Sequence, residues 1–499
     1  MLGEVNLLGP QLLLMVVGGF LLIADLFVKD RRILVATAMA GLLGAVLYST
    51  VLLVDGKVGN TAFDEILVFD QFALFFQFLI AGAALAAIGA SWETLARIPS
   101  RRGEYLALIL FSTTGLMLLA GTRDLIGIFI ALELSSISQY ILVGFHKDRF
   151  SSEAGLKYLL VGAIATAVLL YGMAILIGIS GSTNLGAISA FIAAGDGGIF
   201  EALIFATVLL IVGFGFKAAV APFQMWVPDA YTGAPTPIAA FLSVASKAGA
   251  FAVIIRVFFE ALGDDLLADH WKTIFAVLAT LSMFVGNVLA IQQTNMKRLL
   301  AYSSVAQAGT ILIGLAAITA DRGDTLGAGA ILFYLAGYTV TNLTAFLVVI
   351  AVYNRTGSYE IGAYRGLGRR APLLAGLLAF ALISLIGLPP SAGFFGKLYL
   401  FDTAVQSDLV WLAAIGVVNS VISAAYYLRP IKAMFIDAAV DEAAADASPA
   451  AEAATQGSFW PNPALAATLG LTTAGILVIG LAPSLLIDVA DEAVAAILG

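Results

Sequence analysis

The chain has 499 residues, 61% hydrophobic and 12% charged, with 25 lysines and arginines against 33 aspartates and glutamates, a net charge of −8 and a mean hydropathy of +1.00. Soluble domains carry roughly 25% charged residues, so a water-soluble core of this length is excluded. There is no cysteine, and the two histidines, His146 and His270, fall in predicted loops. Iron–sulfur clusters, thiolate zinc sites and disulfides are thereby excluded, and a bis-histidine haem between helices is not expected. Neither a GxxxxGK[ST] loop nor a GxGxxG after a strand is found. The chain is expected neither to carry electrons nor to hydrolyse ATP by itself, and to bind no nucleic acid or metal.

Apolar runs of the ~20 residues needed to cross ~30 Å of hydrocarbon recur from end to end. They lack the ten-residue alternation of a membrane β-barrel, which predicts an all-α polytopic membrane protein. The opening MLGEVNLLGPQ has no basic n-region, so the first run reads as a span rather than a cleaved signal. Fourteen spans are predicted. The first seven cover 11–28, 33–54, 72–95, 104–121, 124–145, 155–180 and 201–230. The next seven cover 237–260, 271–293, 299–318, 326–352, 372–406, 409–434 and 462–487. Spans seven and twelve are too long for simple helices and contain Pro222 and the pair Pro389 and Pro390.

The basic residues sort by side. Loops after odd-numbered spans, with the span ends that adjoin them, hold sixteen, Lys297 and Arg298 included, and the opposite loops and span ends hold only Lys57, Arg123, Lys272 and Arg322. The positive-inside rule then places both termini outside. Five cations remain within spans: Lys157, Lys217, Lys247, Arg256 and Lys397. Arg256 lies near the outer end of its span and is expected to snorkel to the interface. The acidic, alanine-rich stretch 437–458 reads as a solvated linker, with a functional acidic segment as the alternative.

Pro222 and Pro389 lie 167 residues apart, with an odd number of helices per step, so a repeat would be inverted across the membrane. The expected organisation is a three-helix segment (1–103), a five-helix unit of helices 4–8 (104–262) and its inverted copy of helices 9–13 (263–436). An acidic loop (437–460) and a C-terminal helix 14 (461–499) follow. Broken helices paired in this way point to an ion path near the midplane. The lysines depart from the symmetry, since Lys217 precedes its proline and Lys397 follows Pro389 and Pro390.

An ionisable group at a helix centre costs ~2.5–3.5 kcal/mol on insertion scales, so several in one chain need partners or water. Glu133, in the middle of span five, reads either as half of a helix-pinning ion pair or as the carboxylate that tunes a nearby lysine. Lys217 and Lys247 lie at similar depth on consecutive helices, which favours a proton or cation relay over isolated carbonyl contacts. Lys397 would continue that line. Lys157 and Glu153 are spaced for an ordinary i,i+4 surface pair as well as for a relay. Pro222 cannot donate to the carbonyl of residue 218, and freed backbone at membrane depth is tolerated only against protein or internal water. A simple packing kink is the alternative at either break.

The segments PFQMWVPDAYTGAPTPIAAFLSVASK, MKRLLAYSSVAQAGT and LIGLPPSAGFFGKLYLF resemble signatures of the antiporter-like membrane subunits of respiratory complex I. GAPTPIAAFLSVASK and a lysine after GFFG favour the N-type branch over the L and M types. The resemblance covers essentially the whole chain. It implies a proton-translocating subunit of a bacterial inner membrane, beside K, M, L, J, H and A type subunits and a peripheral arm. FMN, iron–sulfur clusters and quinone would belong to those partners. It also implies relay roles for Glu133, Lys157, Lys217, Lys247 and Lys397. Two positions depart from the family: Gln224 and Gln307 stand where histidines are common, and glutamine holds no proton near neutral pH. The rival readings are a subunit of a multisubunit cation/proton antiporter and a structural arm subunit with no proton path of its own.

Overall fold

The computed structural model describes residues 2–28, 30–195, 199–318, 325–438 and 461–498. Among them, twelve helices are long and apolar enough to cross a membrane, and Gly9–Ala24 and Pro372–Ile386 are shorter apolar helices. The fold is an all-α, multi-pass membrane fold, and each predicted span overlaps a helix. Polar caps set many of the ends. Asp70 accepts from the Ala73 amide to start span three, and Asp124 from those of Ile126 and Gly127 to start span five. Asp148 accepts from the Ser151 amide and starts span six at Arg149, six residues before the predicted start.

Four expectations need correction. Span ten begins at Met296, because Asn295 accepts from the amides of Lys297 and Arg298. Lys297 therefore sits in the first turn of a helix, and it is buried rather than in a loop. His270 belongs to the helix Asp265–Ile291, not to a loop. The C-terminal segment is two helices, Pro463–Leu481 and Ser484–Leu498, instead of one. Fourth, Arg256 does not snorkel: it is fully buried. The expected acidic loop falls almost wholly on 439–460, outside the described residues.

Two small elements are too short to register as spans. A two-stranded antiparallel hairpin, Asn60–Ala62 with Leu67–Phe69, joins spans two and three in the register Asn60↔Phe69. A short helix, Leu185–Ala193, follows span six.

Burial separates an inner group of helices from an outer, more exposed group. Span eight (Thr236–Ala261) is buried over its entire apolar window and spans ten and eleven over 94% of theirs, against 33% for spans two and six. Lipid tails are as apolar as leucine, so close approach at small residues decides helix neighbours. At Gly213 an added Cβ would stand 2.5 Å from the Cβ of Leu169, so spans six and seven pack backbone to backbone there.

Both long spans are interrupted. Span seven runs Phe200–Ala218, turns through Ala219 in the left-handed region (φ 64°) and a cis Ala221–Pro222 peptide, and resumes as Val227–Gly233 after a 3-10 turn at Gln224–Trp226. Span twelve runs Pro372–Ile386, turns at Gly387 (φ 93°) through a cis Pro389–Pro390 peptide, and resumes as Ala392–Gln406. A side chain at Gly387 would meet Lys397 Cδ at 2.8 Å, so both its φ and its neighbour require glycine.

Arg256 stands on the last turns of span eight, where it joins elements far apart in sequence. Its guanidinium donates to both oxygens of Asp70 (3.0 and 2.9 Å), to Glu260 (2.6 Å) and to the carbonyl of Ala120 (2.8 Å), and Arg123 donates to Glu260 at 2.6 Å. The sequence placed Arg256 near a helix end, but the cap of span three and its own i+4 glutamate enclose it. Removing one partner of a buried ion pair costs about 3–5 kcal/mol, because the other charge is left unpaired. Arg256→Met is therefore expected to lower the melting temperature of the detergent-extracted protein markedly; an unchanged melting curve would contradict this account of the cluster.

Candidate functional site

The first break carries Lys217 in its last helical turn, 2% exposed. Its ammonium donates to Ser136 Oγ and to Gln139 Oε1, each at 2.9 Å, both on span five (Leu125–Val143). Gln139 Oε1 also accepts from Tyr158 (3.0 Å) and Ser246 (3.3 Å), while its Nε2 donates to Ser112 (3.0 Å). One amide thus ties together spans four, five, six, seven and eight.

Glu133 lies three residues before Ser136, on the same helix face. It is half-buried and accepts from Thr166 Oγ1 at 2.9 Å. No ion pair joins Glu133 to Lys217 among the described residues. The carboxylate is held by Thr166, and the ammonium by Ser136 and Gln139.

Lys247 follows directly on a π turn, Leu242–Ser246, in span eight. Such wide turns recur at functional positions in helices. Its ammonium donates to the carbonyl of Ser304 at 2.8 Å and to that of Ala218 at 3.4 Å. Ala218 is the residue whose i+4 partner is Pro222, so the lysine meets the carbonyl that the proline cannot serve. The rest of the break is held by Trp226, which donates to the Phe216 carbonyl (3.1 Å), and by Ser282, which accepts from the Ala221 amide (2.9 Å).

The second break repeats the arrangement by a different route. Lys397 donates to the carbonyls of Leu385 (3.1 Å) and Ile386 (2.9 Å), four residues before Pro389 and Pro390. Gln307 Nε2 donates to the same Leu385 carbonyl (3.0 Å) and to Tyr427 (3.3 Å). Tyr334 donates to Gln307 Oε1, and the hydroxyls of Ser303 and Tyr427 are hydrogen-bonded. A polar line therefore runs from Lys217 through Gln139 and Ser246 to Lys247, then through Ser304, Ser303, Tyr427 and Gln307 to Lys397. Its side chains come from spans five, seven, eight, ten, twelve and thirteen.

A sequence profile of the family described as NADH:quinone oxidoreductase/Mrp antiporter, TM, matches residues 122–423, which hold this line apart from Tyr427. NADH-quinone oxidoreductase subunit N of Dehalococcoides mccartyi is 40% identical over 98% of this chain and 99% of its own length. That of Moorella thermoacetica is 41% identical over 87% and 89%. The chain belongs to this family.

Among solved structures, a chain of Thermus thermophilus respiratory complex I is 32% identical, with a TM-score of 0.75 over 96% of this chain and 98% of that one. A chain of the Mrp complex of Dietzia sp. DQ12-45-1b has a TM-score of 0.83 at 22% identity, covering 100% of both, and so shares the fold.

In this family member the structure brings Lys217, Lys247 and Lys397 into one line, with Glu133 beside its first residue. Pro222, Pro389 and Pro390 stand at the breaks. Lys157 is apart: its half-exposed ammonium pairs with Glu153 (2.8 Å) and Asp229 (3.0 Å), and Asp229 also meets Arg298 at 3.2 Å. The two glutamines at the family's histidine positions differ in kind. Gln307 is bonded at both ends, whereas the buried Gln224 Oε1 has no hydrogen-bond partner among the described residues. Among those residues no group of three His, Cys, Asp or Glu side chains is placed to hold a metal.

The hub Gln139 and the residues Ser136, Ser246, Ser303, Tyr427 and Tyr334 were not singled out from the sequence. The signal for Ser136, Gln139, Ser246 and Ser303 was present in SSISQ, SVASK and AYSSVAQ, polar clusters inside apolar runs, whereas Tyr334 and Tyr427 lie outside these clusters. A hydrogen bond to a charged group is worth about 1.5–3 kcal/mol. In a double-mutant cycle of Lys217→Met and Gln139→Leu, the stabilities should fail to add by about 1–3 kcal/mol. Additive losses in thermal or denaturant unfolding of the detergent-extracted protein would contradict the hub.

Proposed function

We propose that the chain is a proton-translocating N-type subunit of bacterial respiratory complex I, in which NADH-to-quinone electron transfer drives protons along the Glu133, Lys217, Lys247, Lys397 line. The observation that carries this reading is a series of buried polar groups, linked by hydrogen bonds, by chain adjacency at Ser246–Lys247 and Ser303–Ser304, and by the shared Leu385 carbonyl, that joins three lysines across two broken helices. The near full-length similarity to relatives named subunit N supports it. Other membrane subunits, of K, M, L, J, H and A types, and a peripheral arm with FMN, iron–sulfur clusters and quinone would supply the redox chemistry. The basic loops after odd-numbered spans would face the cytoplasm and both termini the periplasm.

The proposal also keeps 104–262 and 263–436 as two inverted five-helix units after the three-helix segment 1–103. The matching breaks in spans seven and twelve support that division.

In this mechanism a change propagated from quinone reduction moves Glu133 relative to Ser136 and Lys217. Losing the nearby carboxylate destabilises the ammonium of Lys217, which releases its proton towards Lys247 by way of the Ser246 hydroxyl or water beside the Gln139 amide. Lys397 exchanges protons with one side of the membrane. Glutamine is no proton carrier, so at Gln307 the hydroxyls of Tyr427 and Tyr334, or water, must relay. Lys157 enters as an outlying member whose ion pairs with Glu153 and Asp229 set the charge near the basic face. Moving one charge against 100 mV takes ~2.3 kcal/mol, a small demand on the redox reaction.

The carbonyl contacts of Lys247 and Lys397 favour one competing reading, in which the lysines only hold the breaks. Inverted membrane vesicles bearing the assembled complex distinguish the two. Lys217→Ala is expected to cut NADH-driven proton uptake to a small fraction of wild type while leaving the complex intact on a native gel. Wild-type uptake in an assembled Lys217→Ala complex would sink the relay.

A further inference from the structure

Two deeply buried cations lie outside the line. Arg256 is neutralised by Asp70 and Glu260. Lys297, 1% exposed, has no carboxylate within ion-pair distance among the described residues. Its ammonium donates to the carbonyls of Ala234 (2.7 Å) and Thr232 (3.0 Å), and it lies 4.8 Å from the ring centre of Tyr359. Those carbonyls belong to the end of the second half of span seven, Val227–Gly233, and the residue that follows it. Among the described residues no carboxylate pairs with Lys297 to fix its charge state, and lysine, unlike arginine, changes protonation when buried.

Its position relative to Lys247 is specific. Lys297 and Ser304 are two turns apart on span ten, about 10 Å at 1.5 Å per residue. The Ser304 carbonyl holds Lys247, and its hydroxyl lies 3.5 Å from that of Tyr231. Tyr231 immediately precedes Thr232, whose carbonyl holds Lys297. The same two elements therefore hold both lysines, and the Tyr231 and Ser304 hydroxyls meet where those elements touch. The outer side of Lys297 adjoins Asn295 and Arg298, at the end of span ten where the basic loops gather.

We propose that Lys297 is a further proton-carrying residue, the uptake point at the basic face for the path to Lys247. This rests on the proton-translocating reading above. The Lys297 ammonium gives up one proton, the hydroxyls of Tyr231 and Ser304 each accept one and release one, and the Lys247 amine binds it. Water at the basic face then reprotonates the Lys297 amine, so each cycle carries one proton inward with no net change at the hydroxyls.

The test uses the whole assembled complex in inverted vesicles, measuring NADH oxidation and proton uptake for Lys297→Arg, Lys297→Gln, Tyr231→Phe and Lys217→Ala. Arginine keeps a cation that can meet the carbonyls and the Tyr359 ring but does not release its proton. A holding role therefore predicts that Lys297→Arg pumps normally. The uptake role predicts that Lys297→Arg and Lys297→Gln both lose about tenfold or more of proton uptake. Tyr231→Phe keeps the ring contacts with Trp226 and Phe346 and loses only the hydroxyl, so it should show a clear fall in protons taken up per NADH. Wild-type uptake by an assembled Lys297→Arg complex overturns the inference. If the Lys297 variants do not assemble, Tyr231→Phe decides, and wild-type uptake there overturns it equally. Loss of uptake in Lys217→Ala with full uptake in Lys297→Arg removes this inference and spares the parent reading. Normal uptake in Lys217→Ala removes both.

Discussion

A helix interrupted inside a membrane leaves carbonyl oxygens that lipid cannot serve, and much of this fold is organised around serving them. Lysine ammonium groups do it at both breaks: Lys247 at Ala218, and Lys397 at Leu385 and Ile386. Each of these carbonyls lies four residues before a proline. The end of a helix also carries the negative pole of its dipole, which favours a cation there. A third lysine, Lys297, serves the end of the resumed half of span seven in the same way. Proline and lysine, each costly alone in an apolar span, thus offset one another.

The same chain handles its other buried charge differently. Arg256 is held by two carboxylates, one in bidentate contact, and its charge is fixed. Among the described residues the line lysines meet only carbonyls, a hydroxyl and one amide, and Glu133 forms no ion pair with Lys217. A cation on neutral dipoles can move or change state without leaving a bare carboxylate behind. The Asp70–Arg256–Glu260–Arg123 cluster, by contrast, clamps the end of span eight to the start of span three and the loop after span four. Fixed and adjustable charge are spatially separated, one at the end of a helix and the other along the interior.

The fold was legible because hydrocarbon thickness imposes a length on each apolar run and Pro222, Pro389 and Pro390 marked the interruptions. Glu133, Lys217, Lys247 and Lys397 were legible as charges at depth. What stayed hidden was decided by partners distant in sequence or by caps. Arg256 read as a snorkelling residue because Asp70 lies 186 positions away. Lys297 read as a loop residue because the Asn295 cap starts span ten three residues before the apolar run does. Gln139 looked like any polar residue in a packed helix, since nothing local reveals that donors from three other spans converge on it. The hairpin at residues 60–69 is too short and too mixed to leave a pattern.

That convergence has a consequence of its own. An amide oxygen offers two lone pairs, yet Gln139 Oε1 is approached by Lys217, Tyr158 and Ser246. Acceptor capacity at this point is scarcer than donors, so the three must share it in turn. If Lys217 withdraws, the oxygen is not orphaned, because two hydroxyls stand ready to fill the vacated lone pair. The oversupply of donors levels the energies of the ammonium-engaged and ammonium-released arrangements, and a buried lysine can leave its seat without breaking the scaffold that seats it.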